Sequence, residues 1–154
     1  MSPDIALEWR RFDEMTGSQL YEVLRFRQAV FVVEQGSPYP DLDGRDADAW
    51  HLLLHADGDL AGYLRLVASP EAVGIGRVCV AAPLRRRGLG LRLMREALRF
   101  AAESHPECDI ALNAQLSQAA FYRSLGFETV STPYDDFGVT HVEMRRRRPT
   151  AAPV

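Results

Sequence analysis

The sequence has only two cysteines, Cys79 and Cys108, among its 154 residues. Two cysteines do not make the disulfide framework of a small secreted domain or the ligand set of a zinc site. We therefore expect both to be packing residues in a reducing compartment. No metal site is expected, because the histidines lack a further ligand at a fitting spacing.

Long apolar runs are also missing, and none approaches the ~18 residues that a membrane-spanning helix requires. The first residues, Met1-Ser2-Pro3-Asp4, lack the basic and apolar regions of a signal peptide. These absences predict a cytoplasmic protein that works without a membrane. We expect it to be a monomer or a homodimer.

What is present is the composition of an ordinary globular protein, with 47% apolar and 25% charged residues. A chain of this length forms one domain. We expect residues 1–154 to fold as one unit, with a core over residues 8–145 and a frayed tail over 146–154. The arginines at 145–148 are interpreted as a solubilising end, and no nucleic-acid partner is expected.

Hydrophobic periodicity predicts an α/β protein. Thr16 and Gln19 form a capping box that opens a helix, and an Asp57-Gly58 turn joins two alternating runs. In chain order the predicted elements are a strand (7–12), a helix (16–33), an irregular loop (35–44), three strands (50–56, 60–68, 74–81), a helix (88–104), a strand (109–114), a short helix (117–125) and two strands (127–130, 139–144). This order predicts a mixed sheet with helices on both faces.

A glycine-containing loop carries the first functional motif. Its six residues, Arg85-Arg86-Arg87-Gly88-Leu89-Gly90, separate the run Val78-Cys79-Val80 from the second long helix. Glycines at this spacing let the backbone approach an anion, and the free N–H groups and dipole of a helix start attract negative charge. The spacing matches neither the dinucleotide fingerprint nor the P-loop. The motif therefore predicts a diphosphate-binding helix N-terminus, which we call the phosphate loop (residues 85–90).

A second motif follows about thirty residues later, Ala120-Phe121-Tyr122-Arg123-Ser124-Leu125-Gly126-Phe127. It predicts a short helix that ends at a left-handed Gly126 and is followed directly by a strand. In this order the two motifs resemble those of the GCN5-related N-acetyltransferase (GNAT) family. Segments 25–35, 38–46, 50–51 and 141–144 resemble its ElaA-like branch, and the resemblance covers residues 8–145.

The resemblance implies the GNAT acyl-CoA N-acyltransferase fold, with splayed central strands, and acetyl-CoA as the cofactor. Val78 and Val80 would hold the pantetheine arm, with Asn113 on the facing strand. Backbone N–H groups of the phosphate loop would hold the pyrophosphate and its arginines the remaining phosphate; this set is Arg85, Arg86, Arg87, Gly88, Leu89 and Gly90. An N–H near Val78 or Cys79 would stabilise the oxyanion.

The implied reaction is attack of a primary amine, on a small molecule or a peptide, on the acetyl thioester. Tyr122 is the candidate acid for the leaving thiolate, with packing under the Gly126-Phe127 corner as its alternative role. The amine must also lose a proton. His51, His141 and Glu143 are the candidate bases, because an imidazole titrates near neutral pH and Glu143 shares a strand face with His141.

Charge is segregated along the chain. Residues 34–59 hold seven acids and one arginine, whereas residues 77–99 hold seven arginines and one acid. We expect the basic block to face coenzyme A and the acidic block to attract a cationic acceptor, although two solvated faces are the alternative. The candidate acceptor pocket is formed by Glu34, Tyr39, Asp41, Asp43, Trp50, His51 and His141.

Two other functions stay open. Residues 27–31 also resemble the acyl-homoserine-lactone synthases, which share the fold and use a different donor. A non-catalytic acyl-CoA sensor would keep the phosphate loop and lose turnover, and an intact Tyr122 favours an enzyme over that alternative.

Overall fold

The computed structural model describes residues 2–148 of the chain. Its strands form one mixed sheet in the order β1-β2-β3-β4-β5-β8-β6, with β7 paired to β8. In chain order these strands are β1 (Ile5–Arg11), β2 (Trp50–Ala56), β3 (Asp59–Ala68), β4 (Ala72–Val80), β5 (Asp109–Gln115), β6 (Glu128–Thr129), β7 (Tyr134–Asp136) and β8 (Val139–Arg146). The helices are α1 (Gly17–Gln28), α2 (Leu89–Ser104) and α3 (Ala119–Ser124).

Helix α1 begins where the capping box predicts. Thr16 Oγ1 accepts the Gln19 N–H, and Gln19 Oε1 accepts the Thr16 N–H, each at 3.1 Å. Two otherwise unpaired N–H groups at the helix start are satisfied in this way. After Gln28 the helix continues as a π-helical turn over Ala29–Glu34, a wider winding that is frequent at functional sites.

The two long helices cover opposite faces of the sheet. Successive strand residues point to opposite sides, so the strands present apolar side chains to a helix on each face. Leu52, Leu54 and Leu64 pack with α2 residues such as Leu93 in the larger core cluster. On the other face, α1 packs against a second cluster, formed by Met15, Val23, Val30, Leu53, Tyr63 and Cys79. The predicted mixed α/β fold with helices on both faces is confirmed.

The centre of the sheet opens between β4 and β5. These parallel strands pair only at Ala72↔Asp109, Val73↔Ile110 and Gly74↔Ala111, and both strands continue for several residues beyond that point. Backbone groups of residues 75–80 and 112–115 therefore face a gap in the sheet, which we call the wedge. The splayed central strands that the resemblance implied are present.

Strand β4 also carries an irregularity on its other side. Tyr63 pairs with Cys79 and Arg65 pairs with Gly76, so that Arg77 and Val78 both lie opposite Leu64. This arrangement, with two residues facing one, is a β-bulge, and it bends the strand and re-aims its backbone groups.

Two segments differ from the sequence prediction. Strand β7 was missed, because Tyr134–Asp136 shows no apolar alternation and forms only as one arm of a hairpin with β8. The tail was predicted to fray from residue 146, yet Arg146 is the last residue of β8 and the Arg148 N–H donates to Asp109 Oδ1 at 2.8 Å. The rest of that predicted tail, residues 149–154, lies outside the described residues.

No helix within residues 2–148 is long and apolar enough to cross a membrane.

Candidate active site

One cavity of about 1070 Å³ follows the wedge and reaches the ends of several elements. Its walls come from β4, β5 and β8, from the phosphate loop and the start of α2, from α3, and from the π-helical turn with the loop after it. Chain segments far apart in sequence therefore meet around one space. Most of the residues predicted for the site line it.

The phosphate loop lies at one end of this cavity. Gly88 is the N-cap residue of α2 with a left-handed φ of +79°, a conformation that glycine adopts without strain. A Cβ at Gly88 would meet no atom within 4 Å, so the space above the loop is open. Arg86, Gly88, Leu89 and Gly90 line the cavity, whereas Arg87 is not among its lining residues.

Arg85, at the start of the loop, is occupied by protein partners. Its guanidinium makes two parallel hydrogen bonds to Glu34, at 2.6 Å and 2.9 Å, and its Nε donates to the Val80 carbonyl at 2.9 Å. The hydrogen bond from Arg85 lowers the pKa of the Glu34 carboxyl. Arg85 thus joins the end of the π-helical turn to the end of β4, and its side chain is not free for a phosphate as the sequence predicted.

Tyr122 lies on α3 and lines the cavity from the side of β5. It is 9% exposed and packs edge to face against Phe127, with ring centroids 6.1 Å apart. Burial raises the pKa of its hydroxyl to about 12, and that hydroxyl has no hydrogen-bond partner within residues 2–148. Tyr122 therefore packs at the Gly126-Phe127 corner and also borders the cavity, so its position is compatible with either of the two predicted roles.

Strands β5 and β8 bring four polar side chains to the cavity. The register pairs Asn113 with Glu143 and Gln115 with His141, and all four residues line the space. His141 Nδ1 lies 2.8 Å from the Val139 carbonyl. Because a carbonyl can only accept, this nitrogen carries the proton, and a neutral ring then has Nε2 free as an acceptor.

The irregular loop after α1 is held by an arginine–aspartate network, which consists of Arg27, Arg65, Arg77, Asp41, Asp43 and Asp46. Arg27, fully buried, donates to Asp41 Oδ2 at 3.0 Å and to Asp46 Oδ1 at 2.7 Å. Arg65 bonds to Asp43 and Asp46, and Arg77 bonds to Asp41 and Asp43. The hydrogen bond from Arg65 holds the pKa of the Asp43 carboxyl well below its usual range.

This network corrects the predicted role of the acidic block. Asp41 and Asp43 were expected to attract a cationic acceptor, but their carboxylates are neutralised by arginines that the loop contacts. Three ion pairs join the acidic block to the basic block, from Arg77 to Asp41 and Asp43 and from Arg85 to Glu34. At these positions the two blocks contact each other, and the expectation that they face different ligands stays a prediction.

His51 is also corrected as a candidate base. It is fully buried; Nε2 lies 2.9 Å from the Asp46 carbonyl and Nδ1 lies 2.6 Å from the Tyr63 hydroxyl. Burial lowers the pKa of the ring. Both nitrogens are occupied, and His51 does not line the cavity, so the structure makes it a support of the loop.

Trp50 belongs to the other face of the sheet. Its ring packs against Phe100 of α2 with centroids 5.3 Å apart and against Trp9 at 6.5 Å. It is absent from the cavity lining, because the residue before a buried His51 must point the opposite way. Of the predicted acceptor residues, Glu34, Tyr39, Asp43 and His141 line the cavity.

Several residues at this end of the cavity were not predicted. Arg45 belongs to the loop, Arg65 to β3, and Tyr134 and Asp136 to β7. Tyr134 stacks on His141 with centroids 6.0 Å apart. No motif marks these positions, and the strand that carries Tyr134 gave no signal in the sequence, although its partner β8 was predicted.

Comparison with known proteins agrees with this geometry. A family model described as an acetyltransferase (GNAT) domain matches residues 25–148. Protein ElaA of Escherichia coli is 39% identical over 147 residues, which cover 91% of this chain and 96% of that protein.

Solved structures give the same picture. The crystal structure of Escherichia coli ElaA matches with a TM-score of 0.88 at 38% identity, covering 94% of this chain and all of that one. An acyl-CoA N-acyltransferase from Pseudomonas aeruginosa also matches with a TM-score of 0.88, at 36% identity and with 94% of this chain covered.

Proposed function

We propose that this chain, which belongs to the GNAT acetyltransferase family and to its ElaA-like branch, transfers an acetyl group from acetyl-CoA to a primary amine. Family membership supports acyl transfer in general, and the acetyl donor and the amine acceptor are the proposed parts. One observation carries the proposal. A single cavity joins an open helix N-terminus, two separated strand edges and the hydroxyl of a buried tyrosine.

The residues around the cavity fit coenzyme A. The first N–H groups of α2 have no partner within the helix and attract an anion, and the left-handed Gly88 leaves room for it. Unpaired strand edges suit a ligand that carries amides, so Val78, Val80 and Asn113 would hold the pantetheine arm. The Val80 carbonyl already accepts from Arg85, and its second lone pair remains available.

Acetyl-CoA, when bound, supplies an acetyl group activated as a thioester. A backbone N–H of β4 near Val78 or Cys79 would donate to the thioester carbonyl, where negative charge develops during the reaction. Tyr122 would then give its proton to the departing sulfur. With a pKa of about 12, this hydroxyl is protonated at neutral pH and is ready to donate.

The acceptor amine would lose its proton at the β8 side of the cavity. His141 is the better placed of the two remaining candidates, because its Nδ1 contact leaves Nε2 as the accepting atom. Glu143 lies two residues away on the same strand face and lines the same space. The acceptor, on a small molecule or a peptide, would enter between this strand and the loop that carries Tyr39.

The test is release of free thiol from acetyl-CoA with a panel of primary amines. We expect release that depends on the amine, together with an acetylated product detected by mass spectrometry. Release only with an acyl-carrier donor would favour a synthase, and tight binding without release would favour a sensor. Either of those results would refute acetyl transfer.

A further inference from the structure

Arg77 has a left-handed backbone, with φ of +55°, inside the bulge of β4. Residues with long side chains seldom adopt this conformation, and it persists only where the surroundings hold it. Glycine would adopt it without strain, yet the nearest glycine, Gly76, stands one position earlier. An arginine at the strained position indicates that the side chain itself is needed there.

The side chain of Arg77 is fixed from several directions. Nε donates to Asp41 Oδ1 at 2.8 Å, and Nη2 donates to the Asp41 carbonyl at 3.0 Å and to Asp43 Oδ2 at 3.2 Å. Its guanidinium carbon lies 4.9 Å from the centroid of the Tyr39 ring. Arg77 is therefore fastened mainly to Asp41 and to the loop around it.

Asp41 is itself immobilised by the core. Arg27, which is fully buried, bonds both to its Oδ2 and to its carbonyl oxygen. A chain of contacts thus runs from helix α1 through Asp41 to Arg77 and ends in the backbone of the bulge. A displacement of Asp41 would be passed to β4, because charge-assisted hydrogen bonds with this geometry leave little freedom.

The bulge lies where the proposed chemistry takes place. Gly76, Arg77, Val78 and Cys79 all line the cavity, and beyond Gly74 no strand within residues 2–148 pairs with β4 on the β5 side. The extra residue of a bulge decides which backbone groups face the neighbouring strand and which face away from it. The conformation at Arg77 therefore sets which N–H groups of β4 face the wedge.

We propose that Arg77, held by Asp41, is a positioning residue that fixes the bulge of β4 so that the N–H groups near Val78 face the thioester. The proposal rests on the proposed acetyl transfer, in which those groups bind the carbonyl oxygen. Arg77 and Asp41 act through the backbone, and neither needs to contact substrate. The loop that sequence reasoning assigned to the acceptor thus acts on the donor side.

Arg77→Gly tests the proposal sharply, because glycine keeps the left-handed conformation accessible and removes only the side chain. We expect the backbone amide resonances of residues 75–80 to shift in the ligand-free protein. The kcat for amine acetylation should fall at least about tenfold, since one carbonyl-binding donor is misplaced. Affinity for acetyl-CoA should change little, because the phosphate loop is untouched.

Asp41→Asn and Arg77→Lys are the milder variants and remain informative if Arg77→Gly does not fold. Each keeps a polar group and weakens the contact, so we expect smaller losses of kcat in the same direction and shifts of the same amides. Arg99→Gln is the matched control. It removes an exposed arginine that also bridges two carboxylates, Glu96 and Glu103, and should change neither measurement.

An unchanged kcat in Arg77→Gly, together with unchanged amide resonances at residues 75–80 in Asp41→Asn, would overturn the proposal. Failure of the proposed function gives a different result, since wild-type protein would then bind acetyl-CoA and acetylate no amine. The amide measurement on Asp41→Asn needs no substrate and leaves the sequence of β4 unchanged, so it decides in either case whether the contact between Asp41 and Arg77 holds the bulge.

Discussion

The structure uses arginine in opposite ways in two neighbouring regions. In the arginine–aspartate network, Arg27 and Arg65 are buried, Arg77 is half-buried, and each of the three is paired with two aspartates. In the phosphate loop, Arg86 and Arg87 are exposed and form no ion pair within residues 2–148. The arginines of the network bind carboxylates of the same protein, whereas Arg86 and Arg87 are available to a ligand.

The difference shows that charge counted along a sequence does not reveal which charges remain available. The sequence predicted that the acidic block attracts a cationic acceptor. In the structure, most of its carboxylates near the cavity are paired with arginines from α1, β3 and β4. A buried carboxylate with good partners supports the structure, whereas exposed cations next to free N–H groups can bind an anion.

Breaking the network should have the largest effect. Arg27→Met removes the fully buried arginine that Asp41 and Asp46 share. Asp41 keeps Arg77 and Asp46 keeps Arg65, so the loss of stability should stay below the about 3–5 kcal/mol that a buried charge without any partner costs. We expect this loss in urea unfolding followed by tryptophan fluorescence. Arg99→Gln, on the surface of α2, is the control and should unfold at the wild-type midpoint. Equal midpoints for the two variants would show that the buried pairs are unimportant.

Removing the proposed acid should have the next largest effect, and on a different quantity. Tyr122→Phe keeps the packing against Phe127 and removes the proton, so kcat should fall roughly ten- to a thousandfold. Acetyl-CoA affinity, measured by calorimetry, should hardly change. Tyr21→Phe alters an exposed tyrosine on α1 and serves as the control. Full activity of Tyr122→Phe would leave Tyr122 with its packing role alone.

A negative charge in the phosphate loop should weaken binding without unfolding the protein. Gly88→Asp places a carboxylate beside the start of α2, and acetyl-CoA affinity should fall at least about tenfold, or ~1.4 kcal/mol. Gly88→Asn is the matched control, because asparagine has the same shape, tolerates a left-handed φ and carries no charge. If both variants bind equally, charge at this position does not matter.

The smallest effect is expected for salt. Because Asp41 and Asp43 are already paired with arginines, they should not attract a dication more than a monocation. The ratio of KM values for a diamine and a monoamine should change by less than about twofold between low and high ionic strength. A strongly salt-dependent preference for the diamine would mean that carboxylates at the acceptor end remain free to attract it.

Much of the fold could be predicted because its signals are local. The Thr16 capping box, the apolar stripe of α2 and the alternation in β2 and β3 each show within a dozen residues. The two motifs also allowed the cofactor end of the site to be predicted, because each is recognised from residues close together in the sequence. The roles predicted for Tyr122, His141 and Glu143 stay predictions.

The network could not be predicted because its contacts are not local. Arg27, Arg65 and Arg77 come from α1, β3 and β4, and no spacing links them to the aspartates of the loop. His51 shows the same difficulty. A histidine in a strand gives the same sequence pattern whether its ring faces solvent or a buried carbonyl. Only the packing of α1 onto the sheet distinguishes these cases.

The short seam between β4 and β5 has a consequence for how the protein comes apart. Three residue pairs join these strands, whereas β1 and β2 are joined by seven. Few backbone pairs thus join the two halves of the sheet, and regions with few contacts open locally at a lower free energy than the rest of a protein. A molecule bound in the wedge would contact both β4 and β5 and replace the backbone hydrogen bonds that these strands do not make with each other beyond Gly74 and Ala111. A ligand that binds only the folded protein adds about 2.7 kcal/mol to its stability when the free ligand concentration is a hundred times Kd. Bound substrate would therefore stabilise the junction between the two halves of the sheet.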